Sequence, residues 1–473
     1  MTSWTTAQRW VVIATAAAAA MVGLDALVVA TALSTIRVDI GASIGELQWT
    51  VSAYTLTFAV LMMPAAALGD RLGRRRVCLT GMGLFAAASA ACALAPGAGW
   101  LIAARAAQGA GSAAVLPLTL ALLTAAIPAA QRPRALGIYS AVIGASVPVG
   151  PLLGGAVVQG IDWRWIFWLN LPAALVLIPL LRARIAESTG AAAGLDLPGL
   201  ALATGAAFGL VWGLDRGNTA GWGSAEVLLT LALGGALTVA FVVRETHARE
   251  PMLPMRLFRD RSFSAGTAAI FFLWGSALGA VFFMAQFLQT GLGYDPLGAG
   301  LRLMPWGAVV MVIPRFVGTW IPRLGERVFL VAGMSLQAAG MAWIALAAAP
   351  ALPYWQMAAP LVMSGAGLAM AIPAAQSSVL VAATPHDVGK RSGAFSTVRQ
   401  LGGAFGVAVL VTVFTGTGSY TSAAAFTRGF GPALAASAGL ALAAAIAGLA
   451  APRRRPATVP AATQRRDTVT TRS

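Results

Sequence analysis

The chain has 473 residues, of which 58% are hydrophobic and 10% are charged. This balance leaves too little polar surface for a water-soluble globule and predicts a polytopic membrane protein. The net charge of +16 does not indicate nucleic-acid binding, because the basic residues are concentrated in short segments between apolar runs, where they set topology.

Fourteen apolar runs follow one another along the chain, and each can cross a hydrocarbon core of about 30 Å, which takes about 20 helical residues. The runs are continuous rather than alternating, so they predict helices and not a β-barrel. The predicted fold is all-α, with fourteen transmembrane helices. The runs lie at 10–33, 48–68, 77–95, 99–128, 135–158, 164–181, 197–214, 225–243, 263–290, 297–320, 328–347, 354–382, 394–416 and 430–451.

The distribution of basic residues predicts the orientation. If the N-terminus is cytoplasmic, 24 of the 32 lysines and arginines fall on the cytoplasmic side, as the positive-inside rule requires. Both termini are therefore predicted to be cytoplasmic. The alanine and arginine bias is typical of a GC-rich bacterial genome, so the expected location is a bacterial inner membrane. The arginines at 453–455 are interpreted as a topology anchor rather than an RNA site.

Loop lengths divide the spans into groups of six, two and six. Short connections join the first six spans, and longer polar segments at 182–196 and 244–262 bracket the seventh and eighth. The pattern of glycine and arginine at 66–76 recurs about 250 residues later at 318–327, which indicates internal duplication. The predicted parts are an N-terminal six-helix bundle at 1–184, two additional helices with their loops at 185–262, a C-terminal six-helix bundle at 263–451 and a basic, disordered cytoplasmic tail at 452–473.

Asp25 is the only carboxylate well inside one of these apolar runs, where burying a charge costs a few kcal/mol at least. Helical rise places it about 8 Å below the outer boundary of the first span. Arg105 lies about 8 Å down the antiparallel fourth span. The two charges should therefore reach the same depth, either as a permanent ion pair that joins two helices or as a pair that separates to load and release a proton.

Residues for enzymatic chemistry are scarce. The two histidines, His247 and His386, lie in loops, and Cys78 and Cys92 lie about 21 Å apart along one helix, too far to pair. The sequence has no Walker-type phosphate loop, metal-ligand cluster or nucleophile triad. We predict a protein that is not an enzyme, that has no cofactor or metal, and that ATP does not drive directly.

Several segments resemble motifs of one transporter family. Gly-Asp-Arg-Leu-Gly-Arg-Arg at 69–75 is similar to the loop signature between spans two and three of the major facilitator superfamily. The segment 105–111 is similar to the span-four motif, and Gly-Pro-Leu-Leu-Gly-Gly at 150–155 to the span-five motif that marks antiporters. Segments that resemble the fourteen-helix drug:proton antiporter branch, the EmrB/QacA type, lie at 163–172, 256–259, 287–289, 293–297 and 399–403.

The resemblance implies a fold and a set of roles. In this branch, two six-helix bundles flank two extra helices and alternately open a central cavity to either side of the membrane. Asp25, with Arg105 beside it, is the expected site of proton coupling. The expected conformational latch is Asp70, Arg71, Gly73 and Arg74. The expected antiporter motif is Gly150, Pro151, Gly154 and Gly155.

The latch and the antiporter motif carry separate expectations. In the family, the latch holds the inner faces of neighbouring helices, and Asp70 can also cap a helix N-terminus, where negative charge is favoured. A charged loop that only fixes topology is the alternative. The glycines and Pro151 are expected to serve close packing and bending of span five rather than binding.

A membrane cavity for drug-like ligands is largely aromatic and apolar with a few polar groups. For each aromatic candidate, contact with lipid or with another helix is the alternative, and Arg399 could serve an anionic substrate or snorkel to the inner surface. The candidates are Trp49 and Tyr54 on span two, Trp274, Phe283, Gln286 and Gln289 on span nine, Trp306 on span ten, Gln337 on span eleven, and Arg399 and Gln400 on span thirteen.

The predicted function is proton-coupled export of hydrophobic drugs, antibiotics or secondary metabolites by alternating access. The expected partners are a hydrophobic small molecule, protons and the lipid bilayer, with no nucleic acid, and the protein is expected to be a monomer. Two alternatives share the fold, a proton-coupled importer of a small organic solute and a lipid-translocating transporter. Because one carboxylate lies in the membrane, we expect neutral, zwitterionic or monocationic amphiphiles rather than dications.

Overall fold

The computed structural model describes residues 4–128, 131–190, 196–248, 251, 253–380 and 388–452. Within these residues, fourteen helices are long and apolar enough to cross a membrane, and no strand is found. The predicted all-α fold with fourteen membrane-spanning helices is confirmed. His386 and, from residue 453 onward, the predicted basic tail lie outside the described residues.

The helices are numbered in chain order. Because the spans alternate in direction, the start of the first helix and the end of the last lie at one face, called here the terminal face, and the opposite face is the far face. The helices are α1 (Thr6–Asp39), α2 (Ile44–Leu72), α3 (Arg74–Ala93), α4 (Ala98–Ala126), α5 (Arg132–Gly160), α6 (Trp165–Trp168), α7 (Asn170–Arg184), α8 (Leu197–Ala220), α9 (Ala225–His247), α10 (Arg261–Gln286), α11 (Pro296–Val312), α12 (Pro314–Leu324), α13 (Glu326–Ala347), α14 (Tyr354–Leu380), α15 (Val388–Thr417) and α16 (Ala423–Leu449), with a 3-10 turn at Met255–Arg259 and a π-helical turn at Phe287–Gly291.

Two spans differ from the continuous runs predicted by the sequence. The sixth consists of the one-turn helix α6 and of α7, which meet at Leu169, and the tenth consists of α11 and α12, which meet at Ile313. Pro172 lies in the first turn of α7, and Pro314 begins α12. Proline has no amide hydrogen and its ring crowds the preceding turn, so it favours a break at these points.

Side-chain caps explain where the first two helices begin. Thr5 and Gln8 form a reciprocal capping box at α1, and Ser43 and Glu46 form one at α2. In each box, the hydroxyl accepts from the backbone N–H three residues later, and the longer side chain accepts from the cap residue's own N–H. The second box fixes the far-face end of α2, which carries Trp49.

The two copies of the glycine and arginine pattern, at 66–76 and 318–327, have the same backbone arrangement between their helices. Gly73 is the single residue between α2 and α3, with a φ of +110°, and Gly325 is the single residue between α12 and α13, with a φ of +84°. Glycine is favoured at positive φ because it has no Cβ. The geometry therefore supports the internal duplication.

Helix packing shows which elements meet. Among α1 to α7, α1 packs along α5 and α2 along α4; among α10 to α16, α13 packs along α14 and α16, and α10 along α15. We call these sets the first group and the last group. Between them, α5 packs along α11 and α2 along α15. Helix α8 packs on α9 and also touches α2 and α15, so it lies where the two groups meet. The residue boundaries of the predicted domains stay predictions.

Candidate transport site

The two charges expected at one depth form an ion pair. Arg105 Nη1 on α4 lies 2.6 Å from Asp25 Oδ2 on α1, and each side chain is 1% exposed. The Nε–H of Arg105 also donates to the carbonyl of Thr50 on α2, at 3.2 Å. The pair therefore ties three helices of the first group together in a place closed to solvent in this conformation.

Two amides complete the surroundings of the carboxylate. Gln108 Nε2 and Asn170 Nδ2 donate to Asp25 Oδ1 at 2.7 and 2.8 Å. Gln108 also accepts from Arg105 Nη1 through Oε1, at 2.7 Å. Each of these three neighbours donates to Asp25, and an ionised carboxylate is a pure acceptor, so the arrangement fits the ionised form.

Asn170 reaches the pair because the sixth span is broken. The carbonyl of Phe167, in the one-turn helix α6, accepts from Ser89 Oγ on α3 at 2.9 Å. Ser89 Oγ in turn accepts from Asn170 Nδ2, at 2.9 Å. Asn170 is the first residue of α7. The break thus supplies a carbonyl that orients Ser89 and an amide side chain at the depth of Asp25.

An aromatic ring covers the guanidinium. Arg105 lies over the ring of Tyr54, 4.2 Å from its centroid, and the Tyr54 hydroxyl shares a hydrogen bond of 2.9 Å with Ser112 on α4. A cation–π contact of this desolvated kind is worth about 2 kcal/mol. Tyr54, a candidate substrate contact in the sequence, therefore supports the ion pair from α2.

A separate cavity of about 970 Å³ lies toward the far face, between α2, α4, α8 and α15. Its volume suits a drug-sized molecule. Asp25 and Arg105 do not line it. Within the described residues, no group of three or more His, Cys, Asp or Glu side chains could hold a metal ion. The residues that line it include Arg37, Gly45, Glu46, Trp49, Phe208, Trp212, Asp215, Arg216 and Tyr420.

Three aromatic rings form one wall of this cavity. The Trp49 ring lies 5.4 Å from Phe208 and 5.8 Å from Trp212, centroid to centroid, and Phe208 and Trp212 stack at 5.6 Å. The indole N–H of Trp49 donates to Asp215 Oδ2 at 3.2 Å. Spacings of four and three residues place Phe208, Trp212 and Asp215 on one face of α8. The accessory helix thus supplies two of the rings and a carboxylate.

Comparison with known proteins gives the family. The model of the Major Facilitator Superfamily matches residues 14–407. The chain belongs to the Major Facilitator Superfamily. The fourteen membrane-spanning helices in the described part of the chain and the relatives fit the fourteen-helix branch that the sequence motifs predicted.

Two relatives and one solved structure illustrate the similarity. The multidrug resistance protein Stp of Mycobacterium tuberculosis is 35% identical over 411 residues, which cover 86% of this chain and 76% of that protein. The tetracenomycin C resistance and export protein of Streptomyces glaucescens is 34% identical over 405 residues, 84% of this chain and 74% of that protein. The xylose transporter XylE from E. coli, in a partially occluded inward open conformation, has a TM-score of 0.61 at 12% identity, covering 93% of this chain and 97% of that one. This last likeness shows the fold alone.

The predicted superfamily latch lies at the turn between α2 and α3, toward the terminal face. Asp70 Oδ1 accepts from Arg74 Nε at 2.7 Å, and Arg71 is exposed. Gly73 leaves room for a carboxylate from another segment, since a Cβ there would lie 2.7 Å from the carboxyl carbon of Glu187. Its role as a latch stays a prediction.

Glu187, which follows α7, supplies the helix cap that the sequence analysis assigned to Asp70. Its Oε1 accepts from the amide of Arg75 at 2.8 Å and its Oε2 from the amide of Arg76 at 3.2 Å. The expectation that Asp70 caps a helix is wrong, because Asp70 lies inside the last turn of α2 and pairs with Arg74. Negative charge is favoured at a helix N-terminus, so Glu187 holds its segment to the start of α3.

The predicted antiporter motif lies on α5, where this helix passes α1 on one side and α11 on the other. Two of its glycines face α1 and one faces α11, and a Cβ at any of the three would overlap the neighbouring helix. These residues therefore allow α5 to contact both groups closely. The facing pairs are Gly150 with Leu27 and Gly154 with Thr31, both toward α1, and Gly155 with Pro296 and the Pro151 carbonyl with Gly300, both toward α11.

Of the ten predicted substrate contacts, all of which are described, Trp49 lines the cavity. One other, Gln289, links the groups near the far face, whereas Gln286 forms its contact within the last group. Gln289 Nε2 donates to the carbonyl of Thr31 on α1 at 2.9 Å, and Gln286 accepts from the hydroxyl of Tyr420. Both side chains are thus engaged in this conformation.

The remaining candidates lie within the last group. Gln337 is buried and accepts from Ser364 Oγ at 2.7 Å. Arg399 lies over Trp274, 5.1 Å from its ring centroid. The other three are Phe283, which stacks on Phe414, and the buried Trp306 and Gln400. Substrate contact by any of these residues stays a prediction.

Asp215, the carboxylate of α8 that faces the cavity, is not among the residues predicted from the sequence. The predicted seventh span ends at residue 214, whereas α8 continues to Ala220 and its apolar span to Gly217. Asp215 lies two residues before the end of that span, near the far face, so it is not well inside the span as Asp25 is. The spacing of Phe208, Trp212 and Asp215 on one helical face was the available signal.

Proposed function

We propose that this protein is a proton-driven exporter of hydrophobic antibiotics or similar amphiphiles across a bacterial inner membrane. The observation that carries the proposal is the buried pair of Asp25 and Arg105, at 2.6 Å. Burying two charges in a membrane protein is costly and marks a functional site by default. The relatives add support, because one is a multidrug resistance protein and another is a tetracenomycin C resistance and export protein.

In the proposed cycle, Asp25 carries the proton. Three donors hold its ionised form in the present conformation. If the rocking movement of the groups also shifts α1 against α4 within the first group, Asp25 separates from Arg105 and a buried charge is left without compensation. Taking up a proton removes that charge. With the terminal face in the cytoplasm, uptake from the far face and release at the terminal face drive the substrate outward.

A permanent ion pair that only joins α1 to α4 is the competing role for these residues. It predicts that Asp25→Asn lowers stability but leaves proton-coupled exchange intact. The cycle instead predicts that Asp25→Asn folds but does not couple substrate movement to the pH gradient. The two roles are therefore separable by experiment.

The experiment begins with cells that contain or lack the protein. Accumulation of an antibiotic panel is measured with the pH gradient intact and collapsed, and the compound with the largest gradient-dependent difference becomes the probe. Purified wild-type and Asp25→Asn proteins are then reconstituted in liposomes with an imposed pH gradient. We expect the variant to lose gradient-driven transport while eluting as a folded protein.

Asp39→Asn is the matched control. Asp39 lies on the same helix but near the far face, where it is 42% exposed and pairs with Arg164 at 2.8 Å, so this variant should transport normally. Wild-type rates in Asp25→Asn would contradict proton carriage by Asp25. Probe accumulation driven toward the proton-poor side in both proteins would instead indicate import.

A further inference from the structure

We propose that the cavity between α2 and the accessory helix α8 binds lipophilic monocations, with Asp215 as the counter-ion and Trp49, Phe208 and Trp212 as the aromatic wall. This inference deepens the proposed function, because it gives that exporter a substrate class and a site. It places part of the substrate site on an accessory helix, outside the two six-helix groups.

The aromatic wall fits a flat or phenyl-bearing ligand with a positive charge. The three rings lie within 5.4 to 5.8 Å of one another, and all three line a cavity of about 970 Å³. A cation over a tryptophan face gains up to about 2 kcal/mol when desolvated. Most other lining residues that contact the space are small or apolar, so the ligand must be lipophilic.

The charges around the cavity leave Asp215 available. Two acidic and two basic side chains line it. Arg216 pairs with Glu226 on α9 at 3.2 Å and lies over the edge of the aromatic wall, 5.3 Å from the ring centroid of Trp212. Arg37 lies over Tyr420, and Glu46 is held in its capping box. Within the described residues, Asp215 forms no ion pair, and its Oδ2 accepts only from the indole of Trp49.

The local backbone positions this carboxylate. A Cβ at Gly45 would lie 3.1 Å from Asp215 Oδ1, so the absence of a side chain at residue 45 lets the carboxylate lie against the first turn of α2. The hydroxyl of Thr412 on α15 donates to the carbonyl of Leu214 at 3.0 Å. Helix α8 is thus fastened to both groups beside the cavity.

A single available carboxylate selects a single positive charge. A dication would bring a second charge into an apolar space without a partner, which is costly. A neutral ligand of the same shape gains the aromatic contacts but leaves Asp215 paired only with Trp49. The site should therefore favour a monocation over its neutral analogue, and over a dication.

Equilibrium binding to the purified full chain in nanodiscs tests the proposal. Radiolabelled tetraphenylphosphonium is the monocation, and triphenylphosphine oxide is the neutral aromatic control. We expect Asp215→Asn to weaken phosphonium binding about tenfold and to leave binding of the oxide unchanged. Asp215→Glu should retain most of the affinity, and Trp212→Ala should weaken binding of both ligands.

Asp162→Asn is the matched control, because Asp162 is a far-face carboxylate outside the cavity, and it should bind as wild type does. Equal phosphonium affinity in wild type and Asp215→Asn overturns the proposal, as does absence of phosphonium binding to wild type. Binding of the oxide by Asp215→Asn shows that the variant is folded. No pH gradient is used, so failure of gradient-driven export would refute the proposed function without changing this result.

Discussion

The guanidinium of Arg37, near the far-face end of α1, lies 4.5 Å from the ring centroid of Tyr420, in the loop between α15 and α16. This contact joins the first group of helices to the last. Burial raises the pKa of Tyr420, although Arg37 lowers it, so the phenol stays neutral at physiological pH. The contact of Arg37 with Tyr420 and the hydrogen bond from Gln289 to the Thr31 carbonyl together hold the two groups of helices in contact at the far face.

Replacing Tyr420 by leucine should therefore loosen the far face. The variant loses a cation–π contact worth about 1–2 kcal/mol, so the population with separated groups should rise about tenfold. Double electron–electron resonance between spin labels at Leu94 and Trp355, which are 66% and 72% exposed, reports this separation. Tyr420→Phe keeps the ring and should resemble wild type. Identical distance distributions in the leucine variant would show that the contact does not restrain the groups.

A second prediction concerns the amide that completes the ion-pair network. Asn170→Leu removes a donor from Asp25 Oδ1 and from Ser89 Oγ. The loss of a hydrogen bond to a buried charged group costs about 1.5–3 kcal/mol, so the apparent melting temperature in detergent should fall. Gln159→Leu is the control, because that amide lies in an exposed region near the far face. An unchanged melting temperature for Asn170→Leu would mean that another group replaces the amide.

A third prediction concerns the cap of α3. Glu187→Ala removes the acceptor of the Arg75 and Arg76 amides, a loss worth about 1 kcal/mol at a helix N-terminus. Hydrogen–deuterium exchange at these two amides should become about fivefold faster. Asp70→Asn, which removes a charge from the same turn but no amide acceptor, should leave this exchange unchanged. If these two amides exchanged at the same rate in Glu187→Ala as in wild type, another group would have to cap α3.

The depth of a residue in the membrane could be predicted from the sequence, whereas the residues of other helices that lie beside it could not. Helical rise alone placed Asp25 and Arg105 at one level, because both lie on apolar helices whose ends are visible in the chain. Asn170 reaches them through a break at Leu169, and Glu187 caps an amide 112 residues away in sequence. Asp215 faces the cavity because α8 docks between α2 and α15. These positions depend on tertiary packing, which hydrophobic periodicity does not encode.

A fourth prediction separates the two faces of α5. Gly154 faces α1 within the first group, and Gly155 faces α11 in the last group. An added methyl costs about 1–3 kcal/mol when packing cannot relax. Gly154→Ala should therefore lower the apparent melting temperature, whereas Gly155→Ala should mainly push the groups apart. Gradient-driven transport by Gly155→Ala should fall several-fold, while the melting temperature of this variant stays near that of wild type.

Gly144→Ala is the control for both variants, because no atom lies within 4 Å of a Cβ at this position of the same helix, so alanine there should be neutral or slightly stabilising. Melting curves in detergent and transport in liposomes are measured for all three proteins. If Gly154→Ala lost transport at an unchanged melting temperature, the contact of α5 with α1 would have to move during the cycle. The movement would then include the α1–α5 contact within the first group, and not the α5–α11 contact alone.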